Sequence, residues 1–386
     1  MHVQLLNSHF AQLVSAWKKS KYNKYSDHDK QEYHNKLDLL FDEIKKSDFE
    51  RLSNLEKEEI KQILSFFTAS LEFLDNSTIN TVPFELIECL KYAMEEWIDD
   101  YDQYIIVTSY NDFSFNPSLV RNKVYSIIES KYKIKFSKKL VQINLPKHLS
   151  RDYLTNSVLY HELGHFVDSI LEIYDAIFLS ILNQFISPVT STKDKEDILK
   201  YFPYLSTIST SHCNLKEIDF MVKMHIKEYF ADLFAAQYVG KSACNHLIYI
   251  APNALISHTH PSTQDRINIV DEFLEDATKY NCVVKTFFSE TQKKTKKEIK
   301  LRYIPITSDD IIDLIPCEIS NSEQLHFLYN LGWDIWLNRT SEFKNKNNMN
   351  EHLKQGQIYQ IINNLIEKSI NNYMIVKSWN DSKGCI

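Results

Sequence analysis

The chain has 386 residues, 44% hydrophobic and 25% charged, with a formal net charge of -7. That length and apolar share describe a globular protein of one to three domains with a sizeable core, and exclude a disordered chain. The acidic balance argues against a general nucleic-acid binder, because neutralising phosphates needs a basic surface.

The first hundred residues carry apolar positions at helical spacing, separated by short polar breaks. Met1 to Trp17 reads as an amphipathic helix without the apolar run of a secretory signal. Leu37, Leu40, Phe41 and Ile44 make a second stripe, and Ile60, Ile63, Leu64, Phe67, Leu71 and Leu74 a third. Pro83 is placed to open a fourth helix. The texture then changes. Tyr104 to Ser109 is β-branched and aromatic and predicts a strand. A helix over Pro117 to Lys131 and a second strand ending at Leu145 follow, with Pro146 as its stop.

A helix is expected from about Asp152 to Ile173. Residues 174–220 read as helices and loops broken at Pro188 and Pro203. Lys216 to Val239 is strongly helical. Asn281 to Ile304 reads as two short strands joined by a basic turn that includes Lys293, Lys294, Lys296 and Lys297. Asp309 to Trp379 returns to helix. Only five glycines occur in the chain, which fits a helical fold, since tight turns and bulges usually call on glycine. No stretch reaches the roughly 20 apolar residues of a membrane span. The six cysteines are scattered without a C-x-x-C pair, so reduced thiols in a cytoplasmic protein are expected.

The chemistry lies in three segments. His161-Glu162-Leu163-Gly164-His165 matches H-E-x-x-H. Histidines at i and i+4 share one helix face and can aim both imidazoles at one metal, while Glu162, about 100° away, flanks the metal without binding it. Zinc there lowers the pKa of a bound water to about 7, and Glu162 accepts its proton. Gly164 costs helix stability, which suggests a close approach by another element.

A catalytic zinc needs a third protein ligand and one open position. Glu228, on the Ala-rich segment Lys227 to Ala236, is the economical choice, with Asp232 one turn on to hold the second nitrogen of a zinc-bound histidine. His225, Glu217 and Asp168 are rival ligands. The third segment runs from His258 to Ile267. His260, before Pro261, is presented from a loop and is a candidate oxyanion donor. A helix from Ser262 or Thr263 places Arg266 to pair with a carboxylate near the site.

Together H-E-L-G-H, E-Y-F-A-D and T-H-P-S-T-Q-D-R-I, in this order, resemble the gluzincin metallopeptidases of the HtpX and CaaX prenyl protease family. The resemblance covers about residues 103–280. It implies His161, His165 and Glu228 as zinc ligands, Glu162 as catalytic base, Asp232 as a second-shell residue, and His260 and Arg266 as supporting residues. It also implies endopeptidase activity on an extended peptide, with the strand ending near Leu145 as the edge along which substrate pairs. Many members span membranes; this chain has no such segment.

The expectation is a mainly α (α+β) protein with a zincin-like domain and a small sheet at 103–280. Helical regions flank it at 1–102 and at 281–386, the latter a short hairpin followed by helices. It is expected to hold one zinc ion per chain and to act on a protein or peptide substrate, with no nucleic-acid partner. Two rivals accompany this reading: a catalytically silent or partner-activated zincin-fold regulatory protein, and a purely structural zinc closed by a fourth ligand such as His225 or His260.

Overall fold

The computed structural model describes residues 3–25, 28–79, 84–109, 113–116, 122–209, 214–275, 279–349 and 353–383. Pro83, Pro117, Cys213 and Cys385 lie outside the described residues. The fold is mainly α with one small sheet, and it divides into two compact units. One unit comprises residues 1–91 and 98–151, the other 92–97 and 152–386. These limits do not coincide with boundaries at 102 and 280.

In the first unit, α1 (Val3–Ser20), α2 (His28–Lys45) and α3 (Asn54–Asp75) bury the predicted stripes. Leu37, Leu40, Ile44, Ile60, Ile63, Leu64 and Phe67 are fully buried there. The start of α3 is set by a capping box: the Ser53 hydroxyl accepts from Glu56 N, and the Glu56 carboxylate accepts from Ser53 N. Helix α4 spans Phe84–Trp97.

The sheet has three strands, β1 (Tyr104–Ser109), β2 (Phe115–Asn116) and β3 (Lys139–Asn144), in the order β1-β3-β2. Helix α5 (Asn122–Tyr132) precedes β3, which runs parallel to β1, with Tyr104 opposite Lys139 and Ser109 opposite Asn144. On its other side β2 pairs antiparallel, Phe115 opposite Ile143 and Asn116 opposite Gln142. This corrects the expectation of an edge strand ending near Leu145. β3 is the central strand, so its hydrogen-bonding groups at 142–143 are taken on both sides. Leu140, Val141, Gln142 and Ile143 are all fully buried, as in a strand covered on both faces.

The second unit is helical: α6 (Leu159–Leu171), α7 (Ile173–Ile186), α8 (Thr192–Tyr201), α9 (Leu215–Val239), α10 (Asn245–Ile250), α11 (Thr263–Leu274), α12 (Cys282–Thr295), α13 (Asp309–Ile312), α14 (Ser322–Asn338), α15 (Thr340–Lys346) and α16 (Gln355–Lys383). A single left-handed residue, Glu172 at φ 53°, divides α6 from α7, close to the expected end near Ile173, whereas α6 starts at Leu159 and not near Asp152, with a 3-10 turn over Thr155–Val158 before it. Helix α9 is the centre of this unit, with every residue from Glu228 to Val239 buried. It packs on α6, α7, α11 and α14. Among the described residues no helix is long and apolar enough to cross a membrane.

The expected hairpin over 281–304 is also corrected. The Asn281 side chain accepts from Val284 N and caps α12, whose buried Val283, Phe287 and Thr291 recur at helical spacing. The basic residues of the supposed turn, Lys293 and Lys294, fill the last turn of this helix, where cations oppose the negative dipole end.

Candidate metal centre

Helix α6 is short, strongly amphipathic and buried over Leu159–Gly164 and Phe166–Asp168. Its lead-in is anchored from the C-terminal helices. Leu154 N donates to the Asn363 side-chain Oδ1 at 3.1 Å, Trp333 Nε1 donates to Leu154 O at 2.9 Å, and the Tyr359 hydroxyl donates to Asp152 at 2.7 Å. These supports from α14 and α16 have no motif-like trace in the sequence.

Gly164 is where α6 meets α9. A Cβ at that position would lie 2.8 Å from Ala231 Cα and 3.1 Å from Phe234 Cβ, closer than real side chains approach. The missing side chain therefore lets the two backbones close up. One turn from Ala231 on α9, Glu228 then reaches the two histidines of α6.

Three donor atoms converge. His161 Nε2 and His165 Nε2 are 3.1 Å apart. Glu228 Oε2 is 3.4 Å from His161 Nε2, and Glu228 Oε1 is 3.4 Å from His165 Nε2. Donors at 2.0–2.1 Å on a tetrahedral zinc are separated by about 3.3 Å, so this triangle fits that ion. His161, His165 and Glu228 form one of the donor groups able to hold a metal among the described residues.

The electrostatics support the same assignment. Asp232 Oδ1 accepts from His161 Nδ1 at 2.9 Å, which leaves Nε2 facing the triangle. Asp232 is itself held by Arg266 of α11, from Nε at 2.8 Å and from Nη2 at 2.7 Å. Arg266 Nη1 also lies 3.2 Å from Glu228. Burial alone would raise the pKa of the Asp232 carboxyl, but the Arg266 guanidinium outweighs it and holds the group low. Burial likewise opposes charge on Glu228, yet its hydrogen bonds with His161 and His165 keep it well below the usual range. On His161 burial is overcome chiefly by Asp232, and the pKa rises to about 9; a cation entering here would displace that proton.

Glu162 is buried, and among the described residues its carboxylate has no hydrogen-bond or ion-pair partner. His260 lies on the loop between α10 and α11, with Nε2 3.8 Å from Glu228 Oε1 and its side chain more than half exposed. Its ring is oriented by Thr259, whose Oγ1 is 2.8 Å from His260 Nδ1.

The rival ligands are engaged elsewhere. His225 donates from Nε2 to Ser257 O at 2.8 Å and accepts at Nδ1 from the Tyr204 hydroxyl at 3.1 Å, so neither nitrogen is free. Glu217 pairs with His258 at 2.7 Å. Asp168 accepts from Tyr174 N and caps α7. Sequence reasoning missed Tyr204 and Ser257 as partners of His225. The available hint was the position of His225, one turn before Glu228 on α9.

Residues 137–274, roughly a third of the chain, match the family model described as peptidase family M48. That segment is similar to peptidase family M48. All seven residues discussed as the site, from His161 to Arg266, fall inside it. Helices α1–α4 and α12–α16 lie outside the M48 match. No curated protein and no solved structure matches the chain.

Proposed function

We propose that the chain is a zinc-dependent endopeptidase, with His161, His165 and Glu228 holding one zinc ion and Glu162 acting as general base. The observation that carries this reading is the donor triangle with the Glu162 carboxylate, free of protein partners among the described residues, one residue from its first corner. A carboxylate free of protein partners beside the triangle is able to accept a proton from a water there.

Bound in the triangle, zinc would supply Lewis-acid polarisation of a peptide carbonyl and acidify a water. Glu162 takes the proton from the attacking water and delivers it to the leaving amine. His260, exposed on its loop beside Glu228, donates to the oxygen that becomes negative as the carbonyl is attacked. Asp232 fixes the tautomer and orientation of His161, and Arg266 neutralises the buried carboxylates Asp232 and Glu228.

A purely structural zinc would call for a closing fourth ligand. His225 has both nitrogens occupied, and the donor group among the described residues has three members, which favours the open, catalytic arrangement.

Glu162→Gln tests the reading. Cleavage of an unfolded protein substrate such as casein is expected to fall by about 10²–10⁴-fold while zinc content stays unchanged. Normal cleavage by that variant would remove Glu162 from the mechanism.

A further inference from the structure

His225 is fully buried at the middle of α9, three residues before Glu228, and takes no part in the donor triangle. Its bonding is fully determined. Ser257 O can only accept, so His225 Nε2 carries the hydrogen. Nδ1 is then the acceptor, and the Tyr204 hydroxyl donates to it. Burial lowers the pKa of the ring, which keeps it neutral and preserves this tautomer.

Ser257 is in turn the hinge of the His260 turn. Ser257 N donates to His260 O at 2.9 Å, and His260 N donates to Ser257 Oγ at 3.0 Å. A buried side chain of α9 is therefore connected through one carbonyl to the backbone of His260. Another fastening of this loop to α9, His258 to Glu217, joins two exposed side chains and contributes little. Leu255 in the loop is 84% exposed, while the loop's far end is held by buried Pro261 and by Thr263, whose N donates to Ala254 O and whose hydroxyl donates to Ala251 O.

We infer that His225 is a positioning residue that clamps the 251–262 loop to α9 and so holds His260 beside Glu228. What His260 does in the reaction rests on the hydrolase reading above; what His225 holds does not. A donor to a developing oxyanion must stay within about 0.5 Å of its productive position. Pro261 and Thr263 hold the end of the loop, and the bond from His225 to Ser257 O holds its middle, three residues before His260. Tyr204, from the turn Pro203–Ser209, completes the device by fixing the ring tautomer.

The test uses the full-length, zinc-loaded protein and two readouts. The first is amide exchange at Ser257 and His260. His225→Ala is expected to speed it about tenfold, and His225→Gln, which keeps a donor for Ser257 O, to leave it near wild type. Tyr204→Phe, a milder change that keeps the ring but frees its tautomer, is expected to speed exchange by about twofold. Wild-type exchange in both His225→Ala and Tyr204→Phe would overturn the inference, and Tyr204→Phe decides it alone if the alanine variant does not fold.

The second readout is casein cleavage. His225→Ala is expected to lower kcat by about tenfold with KM little changed, and to cost nothing further in a His260→Ala background. Losses that multiply in the double variant would show that His225 acts on the fold generally and not through His260. If wild type cleaves nothing, the hydrolase reading fails by itself, and amide exchange still decides whether His225 holds the loop.

Discussion

Gly164 of α6 faces Ala231 of α9 so closely that a Cβ would stand 2.8 Å from Ala231 Cα, a backbone atom that cannot rotate away. The contact sets the spacing of the two helices that carry the donor triangle. Gly164→Ala improves helix propensity by about 1 kcal/mol, yet overpacking of this kind costs about 1–3 kcal/mol. We expect a lower melting temperature together with weaker zinc retention. A variant as stable as wild type with full zinc would show that the close approach does not position the site.

Asp232 and Arg266 form a buried pair joined by two parallel hydrogen bonds. Removing only the cation takes from Asp232 and Glu228 the guanidinium that helps neutralise them in the core. Arg266→Met is expected to cost about 3–5 kcal/mol in denaturant unfolding. The double variant Arg266→Met/Asp232→Asn should lose less than the sum of the single changes. Simple additivity would mean that the pair is not coupled.

His326 of α14 is fully buried against Tyr160 and Tyr238, with its Nδ1 2.8 Å from the Tyr160 hydroxyl. Burial, aided by Arg302, lowers its pKa to about 3 from the usual 6.5. The unfolded chain therefore binds a proton at a pH where the folded chain does not. Stability from neutral His326 is present above pH 6.5 and is lost as pH falls toward about 3, by on the order of 5 kcal/mol. His326→Gln should flatten the fall in stability between pH 6.5 and 4. An identical pH profile in variant and wild type would contradict this.

The sequence made some levels of this structure plain and hid others for physical reasons. That His161 and His165 share one face, and Glu228 and Asp232 another, was legible because i, i+4 spacing decides which side chains share a helix face. Gly164 was legible as a close approach because its cost in a helix requires a reason. The α12 segment was misread because Val283 and Val284 favour strands locally, and the cap at Asn281 with burial at 283, 287 and 291 outweighs that preference. The central place of β3 was hidden because pairing partners are not encoded in a strand's own residues. The contacts of Leu154 with Trp333 and Asn363 link positions about two hundred residues apart, and no local pattern reports such links.

The most direct measurement is elemental analysis of purified wild type beside His161→Ala and Glu228→Ala, prepared without chelators. The account predicts one zinc per wild-type chain, retained poorly or not at all by either variant. Wild-type protein without zinc, or Glu228→Ala that keeps its zinc as tightly as wild type, would contradict the three-ligand site on which the mechanism depends.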